Sequence, residues 1–66
     1  EEAILNSEAE QIKKMISRLN REQQEAILSR YVDGLSVREI AEAMNKSEGA
    51  IRVIIHRGLV ILREKL

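Results

Sequence analysis

Cysteine is absent from the 66 residues, which removes disulfides, thiolate zinc sites and cysteine nucleophiles together. A single histidine, His56, excludes most imidazole-based metal sites. Proline is missing as well, and Tyr31 is the only aromatic residue, so there is no stacking platform for single-stranded nucleic acid. No apolar run exceeds four residues, far short of the roughly 20 that a membrane span needs. No basic segment followed by a hydrophobic one marks a secretory leader, so the sequence reads as cytoplasmic. Paired carboxylates, a metal cluster and a phosphate-binding loop are all lacking, and an enzyme is not expected. These absences predict no cofactor, no metal, no membrane partner and no small-molecule substrate.

What is present is globular in character. Hydrophobic residues make up 44% and charged residues 33%, outside the low-hydrophobicity, high-net-charge range of disordered chains. The length suits one small domain, residues 1–66, and the start at Glu1 rather than Met reads as a piece of something longer. Eleven basic residues balance eleven acidic ones, but unevenly along the chain. Residues 1–33 hold seven acids and five bases, a net of −2, whereas residues 34–66 hold six bases and four acids, a net of +2.

The apolar spacing is helical throughout and predicts an all-α fold. Ile4, Leu5, Ala9, Ile12, Met15, Ile16 and Leu19 follow the i, i+3, i+4 rule, giving a lead-in helix within residues 1–19. Asn20-Arg21-Glu22-Gln23 has the form of a capping box, opening a second helix within 20–34 that carries Ala26, Ile27, Tyr31 and Val32 on its buried side. Gly34 suits the left-handed C′ position after it. Ser36-Val37-Arg38-Glu39 is a second capping box, and Val37, Ile40, Ala41 and Met44 give a short helix within 36–45. After Asn45-Lys46, Ser47 caps a last helix within 47–65. A short helix, a tight turn and a longer helix make a helix-turn-helix. Ala41 and Gly49-Ala50 are expected to allow close approach there, with Ile40 and Ile51 as the wedge. The predicted architecture is a compact bundle of four helices, a winged-helix-like topology without a wing.

Placed at 100° intervals, the last helix separates into two faces. Ile51, Ile55, Gly58, Leu59, Leu62 and Leu66 point to the core, and Arg52, Val53, His56, Arg57, Val60, Arg63 and Glu64 point away. A basic helix face after a tight turn has the size and chemistry to enter a DNA major groove. Arginine can donate two hydrogen bonds to guanine, and Val53 can pack on a thymine methyl. Helix N-termini at Val37 and Glu48 offer free N–H groups to phosphates. The bland readings are equally concrete. Arg52 and Arg57 can pair with Glu48 and Glu64 on their own helix, Ser36 and Ser47 are caps, Glu39 is a capping-box member, and Tyr31 is packing.

The segments Leu19-Asn20-Arg21-Glu22-Gln23, Arg30-Tyr31, Gly34-Leu35-Ser36, Glu39-Ile40-Ala41, Ser47-Glu48-Gly49-Ala50-Ile51-Arg52, His56-Arg57 and Leu62-Arg63, in that order, resemble region 4 of a bacterial sigma factor of the extracytoplasmic-function group. The resemblance covers residues 12 to 66. It implies recognition of the −35 element of double-stranded promoter DNA by the last helix, with RNA polymerase core held through the flap of its β subunit and an anti-sigma protein as a further partner. By matching positions, Arg52, Val53, His56 and Arg57 occupy the base-reading places. Arg38, Lys46, Ser47 and Arg63 are the candidates for phosphate contact. The sequence departs from the family pattern at Ala50, where Thr is usual, at Val53, often Ser, and at Ile54 or Leu59, often basic. These departures leave Val53, Ile54, Val60 and Ile61 as an apolar strip suited to a protein partner. Two alternatives follow: an interaction module binding an anti-sigma protein, an activator or itself, and a response-regulator-type DNA-binding domain.

Overall fold

The computed structural model describes residues 13–64, all of whose regular structure is helical. The apolar positions Ile4, Leu5, Ala9, Ile12 and Leu66 lie outside the described residues. Helix α1 is described over residues 13–17. Its last turn tightens, with Arg18 N–H donating to Met15 O at 3.2 Å and Leu19 N–H to Ile16 O at 3.0 Å. Leu19 then turns into the core, 4% exposed.

Helix α2 spans Arg21–Tyr31 and begins on the expected reciprocal cap. Gln23 N–H donates to Asn20 Oδ1 at 2.8 Å, and Asn20 N–H donates to Gln23 Oε1 at 3.1 Å. That bond satisfies Gln23, which is otherwise among the buried residues. The helix stops three residues before Gly34. Val32 N–H and Asp33 N–H both return to Leu28 O, Leu35 N–H reaches Ser29 O at 3.0 Å, and the reversal falls at Gly34 with φ +73°.

Two expectations on this helix are corrected. Ala26 and Ile27 are buried, but Tyr31 is 62% and Val32 73% exposed. Tyr31 is the final residue of α2 and Val32 lies beyond it. The i, i+4 spacing from Ile27 therefore carries them past the part of the helix that the other described helices cover.

Helix α3, Val37–Met44, starts on the second capping box: Glu39 N–H donates to Ser36 Oγ at 3.1 Å and Ser36 N–H to Glu39 Oε1 at 2.9 Å. Asn45 ends it in the left-handed region, φ 57°. Its N–H donates to Glu42 O at 3.3 Å while Lys46 N–H donates to Ala41 O at 2.9 Å, the paired bonds of a Schellman ending. Asparagine tolerates that conformation better than other side-chain-bearing residues.

Helix α4, Glu48–Glu64, follows at once, with Ala50 N–H donating to Ser47 Oγ at 3.1 Å. Its segments Val53-Ile54-Ile55 and Val60-Ile61 are β-branched, which lowers intrinsic helix preference. Burial of one stripe outweighs that preference. Ile51, Ile55 and Gly58 are buried, and Leu59 and Leu62 are half-buried against the same cluster.

The core is a single cluster of Leu19, Ala26, Ile27, Ile40, Ala41, Ile51 and Ile55. Ile40 and Ile51 are fully buried and form the wedge of the helix-turn-helix. Each contributes about 1.5–3 kcal/mol by leaving water. The glycine that permits close approach is Gly58, not the expected Gly49. A Cβ at Gly49 would meet nothing within 4 Å, so no close approach depends on it, whereas a Cβ at Gly58 would collide with Ile27 Cδ1 and touch Gln23 Cβ at 3.4 Å. The tight crossing is α4 over α2.

Candidate nucleic-acid interface

With Ile51, Ile55 and Gly58 held inward, the 3.6-residue period turns Arg52, Val53, His56 and Arg57 to solvent, and all four are exposed. Val53 is 47% exposed, a large fraction for an apolar side chain between two arginines of the same face. Arg63 is exposed in the last turn. The apolar strip does not stay together. Ile54 and Ile61 are half-buried and pack against the core, Val60 is half-buried, and only Val53 stands out. Ile54 lies 100° from Ile55, so the core stripe extends over its flank.

One face of α3, the turn after it and the start of α4 border an open polar groove of about 460 Å³ lined by Arg38, Ala41, Glu42, Asn45, Lys46, Ser47 and Glu48. Three cations around this groove already have carboxylate partners. Arg38 Nε lies 3.5 Å from Glu42 Oε1, Lys46 Nζ lies 2.7 Å from Glu22 Oε2, and Arg52 Nη2 donates to Glu48 Oε1 at 3.3 Å. The first and third are i, i+4 pairs readable from spacing. Lys46–Glu22 joins the turn of the helix-turn-helix to the first turn of α2, and sequence spacing gives no signal for it. Among the described residues Arg57 and Arg63 form no ion pair, and the bland pairing of Arg57 with Glu64 is not seen. Glu39 Oε1 accepts from Ser36 N–H as part of the cap. The Ser36 backbone N–H and then its hydroxyl hold the carboxyl below its ordinary pKa, so it stays charged at neutral pH.

A second, less polar groove of about 240 Å³ lies open between the end of α2 and the flank of α4, lined by Arg30, Tyr31, Val37, Arg52, Ile55, His56 and Leu59. Arg30 Nη1 donates to Leu35 O at 3.1 Å, which fixes the bend between α2 and α3. Tyr31 and Arg30 were not among the expected site residues. Their place across an open groove from His56 comes from how α2 and α4 are set side by side, which no local pattern announces.

Together these features define the helix-turn-helix class: a buried isoleucine pair at the crossing, a capped and tightly turned connection, and a second helix with a cationic outer face. The sigma-70 region 4 family model matches residues 9–62, and the chain belongs to that family, a DNA-binding regulatory one. It is 43% identical over 51 residues to the ECF RNA polymerase sigma factor BldN of Streptomyces coelicolor, covering 77% of this chain and 19% of that protein. It is 38% identical over 63 residues to the ECF RNA polymerase sigma factor ShbA of Streptomyces griseus, covering 96% of this chain and 33% of that protein. A chain in a solved structure of an RsbN–BldN complex superposes with a TM-score of 0.80 at 35% identity, over 96% of this chain and 46% of that one. This chain thus spans at most a third of the length of these two relatives. No helix among the described residues is long and apolar enough to cross a membrane.

Proposed function

We propose that this chain reads the −35 element of bacterial promoters in the cytoplasm, as a DNA-binding domain of an extracytoplasmic-function sigma factor. It acts by binding rather than by catalysis. The observation that carries the reading is the exposure of Arg52, Val53, His56 and Arg57 on one face of α4 immediately after a tight turn. Arg52 and Arg57 donate to guanine O6 and N7, His56 adds a donor, and Val53 packs on a thymine methyl. Arg38, Lys46, Ser47 and Arg63 lie on phosphates and set the register. Family membership points to RNA polymerase core, through the flap of its β subunit, as the assembly in which the domain works.

The test is a gel-shift series over −35-like duplexes at low salt. Arg52→Ala and Arg57→Ala are each expected to reduce discrimination between duplexes about 5- to 150-fold, the loss of one base contact of about 1–3 kcal/mol, with helicity by circular dichroism unchanged. Equal binding to every duplex before and after substitution would overturn the reading.

A second reading has its own observation. Val53 is an exposed apolar residue in the centre of the cationic face, and a similar chain is found in a complex of BldN with RsbN. It assigns the face to a protein partner, such as an anti-sigma protein or a second copy of the chain. Self-association in size exclusion that vanishes on Val53→Asp or Val60→Asp would support it, and a concentration-independent monomer rules out the second copy.

A further inference from the structure

The ion pair at the tip of α4 has a direction. Glu48 is the first residue of the helix and Arg52 lies one turn further on, with Nη2 to Oε1 at 3.3 Å. Helical side chains lean toward the N-terminus of their helix, and the N-terminal residues of a helix-turn-helix recognition helix are the ones that meet base edges. Arg52 also borders the second groove, beside Tyr31 and His56, where the ring face offers a guanidinium an alternative resting place. The bond to Glu48 draws its Nη2 along the helix, toward the leading tip. One Nη2 proton is engaged, and four of the five guanidinium donors remain. One complete two-donor edge is therefore still available for a bidentate contact.

We infer that Glu48 is a positioning residue for base reading: it keeps the Arg52 guanidinium pre-set at the tip of α4, so that less side-chain freedom is lost when the base contact forms. This rests on the DNA reading above. An exposed ion pair adds little to stability, so the role shows in specificity. The same carboxylate repels phosphate, so it lowers affinity for all DNA while sharpening the choice among sequences. A pure electrostatic brake would do only the first.

The experiment compares the wild-type chain with Glu48→Ala and Glu48→Gln on the best −35-like duplex and on the same duplex with its guanine contacts replaced one at a time. Glu48→Ala is expected to bind unrelated duplex more tightly but to lose discrimination at one guanine about three- to tenfold, the effect of leaving one long side chain to be ordered on binding. Glu48→Gln keeps an acceptor for Arg52 without the charge and is expected to recover most of that discrimination. The loss should vanish in an Arg52→Ala background, which a merely structural effect on α4 would not produce. Uniformly tighter binding with discrimination intact would overturn the role of Glu48 alone. Absence of discrimination in the wild-type chain would overturn the DNA reading itself.

Discussion

Gly58 shows how one residue sets the spacing of two helices. A glycine inside a helix costs about 0.5–1 kcal/mol relative to alanine, and here that cost is offset by the approach of α4 to Ile27 of α2. Adding a Cβ gains the helix preference but forces Ile27, a buried side chain, out of place. Gly58→Leu is therefore expected to destabilise the chain by about 1–3 kcal/mol through overpacking. Gly58→Ala in an Ile27→Val background, where Cδ1 is gone, is expected to stabilise relative to Ile27→Val alone by about 0.5–1 kcal/mol. Urea melts of the four chains of this cycle measure the coupling. Purely additive effects would show that the two residues do not compete for the same space.

Helix α3 is short, and its ends hold it in place. Its start depends on the Ser36–Glu39 box, whose carboxylate pKa is lowered first by the Ser36 N–H and then by the Ser36 hydroxyl. A depressed pKa contributes stability that is fully present above the ordinary carboxylate range and is lost as pH falls through the lower, folded value. Thermal melts from neutral pH down to about 2 should therefore show a smaller acid loss in Glu39→Gln than in the wild type, because glutamine still accepts from Ser36 N–H and does not titrate. Identical acid dependence in the two chains would assign the loss to other carboxylates. The opposite end relies on Asn45 at φ 57°, where glycine would serve and a β-branched residue would be strained.

At the scale of the whole molecule the margins are narrow. A chain of 66 residues buries a small core, and two fully buried isoleucines hold the helix-turn-helix together. Ile40→Ala or Ile51→Ala is expected to cost about 2–5 kcal/mol, enough to unfold the chain at room temperature in a circular dichroism melt. The charge balance is equally close. The net charge is zero, and Arg38, Lys46 and Arg52 each start with a carboxylate partner. On the proposed reading phosphates must replace the partners of Arg38 and Lys46, so affinity should be modest. If Arg38, Lys46 and Arg63 are the charged phosphate contacts, as proposed, the slope of log affinity against log salt is expected to be about −3. A slope near −8 in a salt titration by fluorescence anisotropy would mean a much larger basic footprint than this surface carries.

Much of this protein was written in its local sequence. Both capping boxes, the Ser47 cap and the turn at Asn45 depend on contacts within about five residues, where spacing alone determines which atoms can meet, and the stripe Ile51, Ile55, Gly58 is set on one side of α4 by the helical period. The outward face of Arg52, His56 and Arg57 follows from the same periodicity. Tertiary structure decided the rest, because it concerns which helix lies over which. Tyr31 and Val32 keep the core phase yet are exposed, since the other described helices do not cover the end of α2. Gly49 is small without need and Gly58 by necessity, since α4 approaches α2 only at the latter. Ile54 and Ile61 leave the expected strip for the core flank, and Lys46 finds Glu22 across 24 positions of sequence. A periodic pattern gives each side chain an angle about its own helix axis. Only the packing of the axes against one another determines what stands at that angle.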